Sequence, residues 1–504
     1  MAQGTLADRL RAVMAERGLK QADLIHMAAE KGEKLGKSQV SQYVSGKVGP
    51  RPNVVRLLAD ILGVEEGWLA TGEGTRAAAR PETANETASR TPRQQRSTSM
   101  REFKKSSKLE NVLYDVRGPV ADEAARMEDE GLRILKLNIG NPAPFGFRTP
   151  DEVVHDMRQQ LPECEGYSDS RGLFSARKAI MQYAQLKHLP NVSMDGIYTG
   201  NGVSELIQLC MNALLDTGDE ILIPSPDYPL WTACATLAGG TPVHYLCDEQ
   251  AEWNPDLADM ESKVTSNTKA IVIINPNNPT GAVYPREVLE QIVEIARRHQ
   301  LMIFSDEIYD RLCMDGHEHV SIASLAPDLP CVTFSGLSKS HMIAGYRIGW
   351  MVLSGNRRCM RDFVYGINML SNMRLCSNVP AQSVVQTALG GYQSVERYVE
   401  PGGRVYEQRN YVYEALNAID GITAVKPKAA FYIFPKIDVK KFNITDDEQF
   451  ALDLLHEKRI LITRGGGFNW PEPDHFRIVY LPRMEVLREA MTDLADFFAH
   501  YRQG

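Results

Sequence analysis

No two cysteines in this 504-residue chain have Cys-x-x-Cys spacing, and no histidine cluster accompanies the eight that occur, at 164, 210, 234, 247, 313, 331, 359 and 376. That spacing argues against structural zinc, so no metal site is expected, and the scattered thiols fit a reducing compartment. No apolar run approaches the ~20 residues a membrane helix needs, so no membrane partner is expected. The opening Met-Ala-Gln-Gly-Thr-Leu-Ala-Asp lacks the apolar core of a secretion signal. A cytoplasmic location is the simplest expectation. What is present is enough for a large core, with 43% hydrophobic residues, and the length predicts two or three domains. The net charge of -8 is unevenly spread: residues 1–108 hold 19 Lys+Arg against 12 Asp+Glu, and the remainder 37 against 52. A basic arm on an acidic body suits a polyanion partner, or else a plain solvated tether.

The first 75 residues read as helices. Leu6, Leu10, Val13 and Met14 recur at helical spacing, and Gly18 closes that segment. A short second helix begins at Gln21, a third spans 38–44 before Ser45-Gly46, and apolar stripes over 54–62 and 64–69 make five. The runs Gly18-Leu-Lys-Gln-Ala-Asp-Leu24, Ser38-Gln-Val-Ser-Gln-Tyr43, Gly46-Lys47 and Ile61-Leu-Gly-Val-Glu-Glu-Gly-Trp-Leu69 together resemble the phage-repressor-like helix-turn-helix family. In such modules the third helix lies in the major groove, and dimers read paired half-sites. The resemblance implies Gln39 and Gln42 as base readers, with Lys37, Ser38 and Lys47 as phosphate contacts. The segment 27–37 is longer than the usual turn between the second and third helices. A small helical domain that binds a protein partner is the alternative. Residues 76–107 follow without apolar periodicity, as expected of a flexible basic linker. Within it, Met100 is a candidate alternative start for the body alone.

The body, 108–504, alternates apolar runs with helical segments. Runs such as Ala270-Ile-Val-Ile-Ile274 and Leu301-Met-Ile-Phe304 predict an α/β fold with a parallel sheet covered on both faces. Ligand-binding residues are then expected where the strands end. After Val332-Thr-Phe334 comes Ser335-Gly-Leu-Ser-Lys-Ser340, which places Lys339 at such an end, with Arg347 eight residues on. A desolvated amine is a nucleophile toward carbonyls, and an arginine fork suits phosphate, so this stretch fits a phosphorylated aldehyde. A solvated loop is the alternative. Thr199-Gly-Asn-Gly-Val-Ser-Glu205 offers backbone N–H groups to an anion at a helix start. Asn275-Pro-Asn-Asn-Pro-Thr-Gly281 has amides able to reach a ring oxygen, or is simply a turn. Asp306, in Ser305-Asp-Glu-Ile-Tyr309, is a buried strand-end carboxylate that requires a cation, and a protonated pyridine nitrogen would serve.

These four motifs, in this order, resemble those of the class I/II aminotransferases, the fold-type I pyridoxal phosphate enzymes, over residues 107–503. Lys108-Leu-Glu-Asn-Val-Leu-Tyr-Asp-Val-Arg-Gly-Pro119, Leu137-Asn-Ile-Gly-Asn-Pro-Ala-Pro-Phe-Gly-Phe147, Asp227-Tyr-Pro-Leu-Trp-Thr-Ala233 and Phe468-Asn-Trp-Pro471 are similar to the bacterial glutamate–pyruvate (alanine) aminotransferases in particular. The resemblance implies a large domain, about 150–390, with a mostly parallel seven-stranded sheet. It also implies a smaller α+β domain from 108–149 and 391–504. It implies pyridoxal 5'-phosphate held covalently by Lys339, with Asp306 on the ring nitrogen, Asn278 and Tyr309 on the ring oxygen, and Tyr228 on the ring face. Val203, Ser204, Ser338 and Arg347 would take the phosphate. Tyr167 would reach the phosphate of a second subunit, so a homodimer is implied. Arg477 and Gly140 would hold the substrate α-carboxylate beside Asn278. Arg117 would serve the distal carboxylate of glutamate or 2-oxoglutarate, and Tyr114 with Ile139 would close a pocket for alanine. Many relatives have serine where this chain has Gly336, which leaves the phosphate serine open between Ser335 and Ser338. Gly465-Gly-Gly-Phe468 is also unusually flexible ahead of Arg477.

Two functions compete. One is an active alanine aminotransferase carrying a DNA-binding domain. The other is a transcription regulator whose aminotransferase-like body only senses pyridoxal phosphate or an amino acid. The complete residue set favours the enzyme, since a sensor has no need of Arg477 or Tyr309. A carbon–sulfur lyase or decarboxylase on the same scaffold would share the lysine motif but not the alanine-type segments.

Overall fold

A computed structural model describes residues 4–72, apart from 32 and 34, and 103–504, apart from 110, 111, 113 and 115–117. Most of the expected linker, Met100 and Arg117 lie outside the described residues. The chain divides into two compact units, Met1–Glu102 and Phe103–Gly504.

The first unit has helices α1 (Leu6–Glu16), α2 (Gln21–Glu30), α3 (Lys37–Ser45), α4 (Pro52–Ile61) and α5 (Glu66–Thr71). Thr5 and Asp8 cap α1 reciprocally, satisfying two backbone donors that a helix start leaves free. Pro52 opens α4, where its missing N–H costs nothing, and Gly46 ends α3 at φ +75°. Leu10, Val13, Leu24, Val40, Leu58 and Leu69 form the core. The second helix is longer than expected. Leu24 and Ala28, four residues apart, are both buried and carry the apolar stripe onward, so only 31–36 remain between α2 and α3.

The second unit is built on one sheet. Its strands are β1 (Ile197–Gly200), β2 (Glu220–Ser225), β3 (Thr241–Asp248), β4 (Asn254–Pro255), β5 (Thr268–Ile274), β6 (Met302–Asp306), β7 (Pro330–Gly336) and β8 (Gly349–Gly355), in the order β1-β8-β7-β6-β5-β2-β3-β4. The five central strands from β7 to β3 are parallel, whereas β8 opposes both of its neighbours. Against the seven strands expected, the two-residue β4 adds an eighth at the edge, antiparallel to β3. Successive residues alternate between two buried faces: Ile271, Ile273 and Ile303 enter one core, and Val272, Ile274 and Phe304 the other. This is why the strands read as unbroken apolar runs. A separate core gathers β9 (Tyr432–Ile433) and β11 (Phe476–Val479), with Phe450, Leu454, Leu494 and Phe497. The strand β10 (Thr463–Arg464) pairs with β11.

The register places the chemistry. Ile274 is opposite Asp306, Asp306 opposite Phe334, and Gly336 opposite Gly349, which also pairs with Gly200. Four strand ends therefore lie in one row, and each is followed by one of the motifs. Among the described residues, no helix is long and apolar enough to cross a membrane.

Candidate active site

Lys339 sits in the helical turn Leu337–Ser340 that follows β7 directly. Its side chain is half-buried, and Nζ donates to the Gly140 carbonyl at 2.6 Å. Gly336, the departure from the family pattern, is sterically required: a Cβ there would meet the Ile348 carbonyl oxygen at 2.8 Å. Ser335 is paired within the sheet opposite Trp350, whereas Ser338 faces the cavity beside Lys339.

That cavity has a volume of about 230 Å³. On its floor Asp306 is buried at the end of β6, accepting from Trp231 Nε1 at 3.2 Å and from the Ile308 N–H at 3.3 Å. No lysine, arginine or histidine among the described residues pairs with it. Burial pushes its carboxyl up to about 6, and the two hydrogen bonds only partly oppose this. Tyr309 and Tyr228 also line the wall, both with hydroxyls pushed well up by burial. Tyr309 Oη lies 2.7 Å from Tyr432 Oη, and Tyr228 Oη lies 3.0 Å from Tyr114 Oη.

The next wall is an anion seat. Helix α6 (Val203–Leu214) starts at Gly202, φ +81°, and no side chain caps it, so its first N–H groups lie beside the cavity. Arg347 packs on this turn, donating to the Asn201 carbonyl at 3.0 Å and to that of Ala344 at 2.9 Å. A Cβ on Gly202 would fall 2.1 Å from the Arg347 guanidinium, so only glycine permits this approach.

Arg477 comes from β11 and is buried. It donates to Asn278 Oδ1 at 2.9 Å and to the Asn138 carbonyl, while its Nε has no partner among the described residues. Its guanidinium lies between two rings, 4.5 Å from Tyr432 and 4.6 Å from Phe468. Burial lowers its proton affinity from the usual arginine value, against the pull of the neighbouring tyrosines. The Phe468 loop is tied down: Asn469 Nδ2 donates to Asp227 at 2.6 Å, and the Asp227 N–H donates to the Phe468 carbonyl at 3.0 Å. The glycines ahead of Arg477 are therefore not free.

Of the residues singled out from the sequence, Gly140, Val203, Ser204, Tyr228, Asn278, Asp306, Tyr309, Ser338, Lys339, Arg347 and Arg477 converge on this cavity, together with Ile139. Tyr114 stands behind Tyr228. Tyr167 does not join them and is 82% exposed. Tyr432 was missed, whereas Trp231 and Phe468 stood in the family-like segments without a site role. Tyr432 is embedded in the apolar run Phe431-Tyr-Ile-Phe434, where nothing in the pattern distinguishes it from core. On the first unit, Lys37, Ser38, Gln39, Gln42 and Lys47 are all exposed along α3 and its end, while Val40 and Tyr43 face the core. Gln39 Oε1 accepts from the Gly36 N–H at 3.0 Å, so this side chain also caps its own helix.

A lysine, a buried carboxylate without a cation, an amide and a phenol on one side, and an anion seat on the other match the functional groups of pyridoxal phosphate. The pyridine nitrogen, ring oxygen, aldehyde and phosphate each find a suited donor set. A cofactor enzyme of the aminotransferase kind is thus the class that fold and site define. The class I and II aminotransferase family matches residues 133–494, and a helix-turn-helix family matches 10–69. The chain belongs to the class I and II aminotransferases, and its cofactor is pyridoxal 5'-phosphate. It is 59% identical over 404 residues to the glutamate-pyruvate aminotransferase AlaA of Haemophilus influenzae, covering 80% of this chain and 100% of that one. It is 56% identical over 404 residues to the alanine aminotransferase of Mycobacterium tuberculosis, covering 80% and 94%. Among solved structures, an aminotransferase from Escherichia coli superposes with TM-score 0.79 at 57% identity, covering 80% of this chain and 100% of that one.

Proposed function

We propose that this protein is a transaminase moving an amino group between L-alanine and 2-oxoglutarate, forming pyruvate and L-glutamate, with an N-terminal DNA-binding unit. The carrying observation is the convergence of Lys339, Asp306, Asn278, Tyr309, Arg347 and Arg477 on one cavity. The glutamate–pyruvate and alanine specificities of its relatives support the substrate pair. Bound pyridoxal phosphate supplies an aldehyde carbon for amines and a ring that withdraws electrons from the substrate α-carbon. Lys339 holds the cofactor, and its freed amine takes the proton from the α-carbon. Asp306 stays ionised against the ring N–H. Asn278 and Tyr309 donate to the ring oxygen, and Tyr228 covers the ring face. The N–H groups of Val203 and Ser204, the Ser338 hydroxyl and Arg347 take the phosphate. Arg477 grips the α-carboxylate with two parallel donors, beside Gly140. Arg117 would serve the distal carboxylate of glutamate or 2-oxoglutarate, and Tyr114 with Ile139 would close the pocket around alanine.

The enzyme is a homodimer in this reading, with Tyr167 reaching the second subunit's phosphate. The exposure of Tyr167 supports this, as does that of the large side chains Tyr365 and Met373 on the helix Arg361–Met373. Eight unpaired cysteines support a cytoplasmic location. The division at 75 and 107 into module, linker and body belongs to the same proposal. For the first unit, exposed Lys37, Gln42 and Lys47 support a DNA-facing α3.

One experiment tests the substrate assignment. L-alanine added to the purified holoenzyme should convert the cofactor spectrum to the amine form and release stoichiometric pyruvate. Absence of a response to both alanine and glutamate would end this reading. The sensor alternative keeps no support from the site, because a sensor has no use for a complete carboxylate grip and proton-transfer lysine.

A further inference from the structure

Tyr432 has no role in the assignments above, yet it touches both ends of the site. It comes from β9, in the core that also carries Arg477, whereas Tyr309 follows β6 of the large sheet. Its hydroxyl is 2.7 Å from that of Tyr309, and the two rings meet edge to face at 85°. The Arg477 guanidinium lies 4.5 Å from the centre of its ring. Gly140, whose carbonyl accepts from Lys339, leaves room for the Tyr432 hydroxyl: a Cβ there would sit 2.1 Å from it. The other titratable groups facing the pair are Tyr228 with its partner Tyr114, Asp306 and Lys339.

We infer that Tyr432 is a positioning residue for this reaction: beside the direct contact of Arg477 with Asn278, it forms a second path by which ion pairing of Arg477 reaches the Tyr309 phenol, and through it the protonation of the lysine–cofactor linkage. The inference rests on the transaminase reading and extends it.

The physical steps are few. Tyr309 has one hydroxyl proton. If it donates that proton to the cofactor ring oxygen, it can only accept from Tyr432, so Tyr432 is the donor of the pair. A donor behind a donor strengthens the forward hydrogen bond. An unpaired guanidinium over the Tyr432 ring draws electron density from it, which makes the hydroxyl a better donor. With Arg477 free, Tyr309 therefore holds the ring oxygen firmly, competing with the linkage N–H for that oxygen and lowering the linkage's affinity for its proton. When a carboxylate neutralises Arg477, Tyr432 and then Tyr309 donate less strongly. The linkage then holds its proton better, which keeps it electrophilic as the substrate amine arrives. Tyr432 thus acts through Tyr309 and does not meet the reacting atoms.

The test is a spectrophotometric pH titration of the holoenzyme's visible band, with and without propionate, a carboxylate that carries no amine. Tyr432→Phe should raise the titration midpoint by about half a pH unit. It should also shrink the upward shift that propionate causes to less than half of the wild-type shift. A second variant, Tyr432→ring-fluorinated tyrosine, keeps the shape and sharpens the donor, so its midpoint should fall. This opposite sign is not expected of a merely structural role. A midpoint and propionate shift in both variants equal to those of wild type would overturn the inference while leaving the transaminase reading intact. A visible band that does not titrate would also overturn the inference, whereas a wild-type protein that forms no visible band with pyridoxal phosphate would overturn the transaminase reading itself.

Discussion

At the scale of single residues, Asp306 carries the clearest energetic consequence. In the apoprotein burial raises its carboxyl to about 6, above the usual 3.8 of an aspartate in water. A raised carboxylate pKa means that the folded state prefers the protonated form. The associated destabilisation is absent below about pH 4, grows as pH rises through 6, and is fully present above it, amounting to about 3 kcal/mol. Apoprotein with Asp306→Asn should therefore melt higher than wild-type apoprotein at neutral pH. That gap should close as pH falls from 6 toward 4, while turnover of the loaded variant collapses. Calorimetry of both apoproteins across that range is the measurement. Lys339→Ala should abolish the visible band and cut the transamination rate by about four orders of magnitude, read in single-turnover assays. Arg477→Lys should keep that band, because the lysine that attaches the cofactor is untouched. It loses the planar two-donor grip, so KM for amino and oxo acids should rise about a hundredfold.

At the scale of elements, the site is a product of register. Asn278 and Lys339 follow a buried strand within a few residues and Asp306 ends one, so an apolar run ending in a polar signature was enough to find them. Gly202 shows how tightly one such junction is specified. Gly202→Ala puts a side chain where the Arg347 guanidinium lies, at a φ of +81° that alanine adopts poorly. The anion seat should open, and the cofactor Kd should rise at least about tenfold, measured by reconstitution of the apoprotein. Elements defined by partners rather than by their own pattern were not legible. The edge strand β4 exists only because two residues pair with β3. The extension of α2 depends on Ala28 meeting a core that the local sequence does not announce. Tyr432 was hidden for the same reason: amid buried Phe431, Ile433 and Phe434, only tertiary packing reveals that its hydroxyl reaches Tyr309.

At the scale of the whole molecule, two separately compact units share one chain. About four fifths of that chain spans the entire length of a relative named for the glutamate–pyruvate reaction. Deleting residues 1–102 should accordingly leave alanine-dependent pyruvate release within about twofold of the full chain, because catalysis draws only on the second unit. The orphan carboxyl of Asp306 has a consequence at this scale too. A protein that is less stable without its ligand spends more time unfolded, and cellular proteases remove the unfolded fraction. Vitamin shortage would then lower the abundance of this protein as well as its turnover number. Because the helix-turn-helix unit is degraded with the chain that carries it, its dose would follow nutritional status, even with no signal passing from one unit to the other.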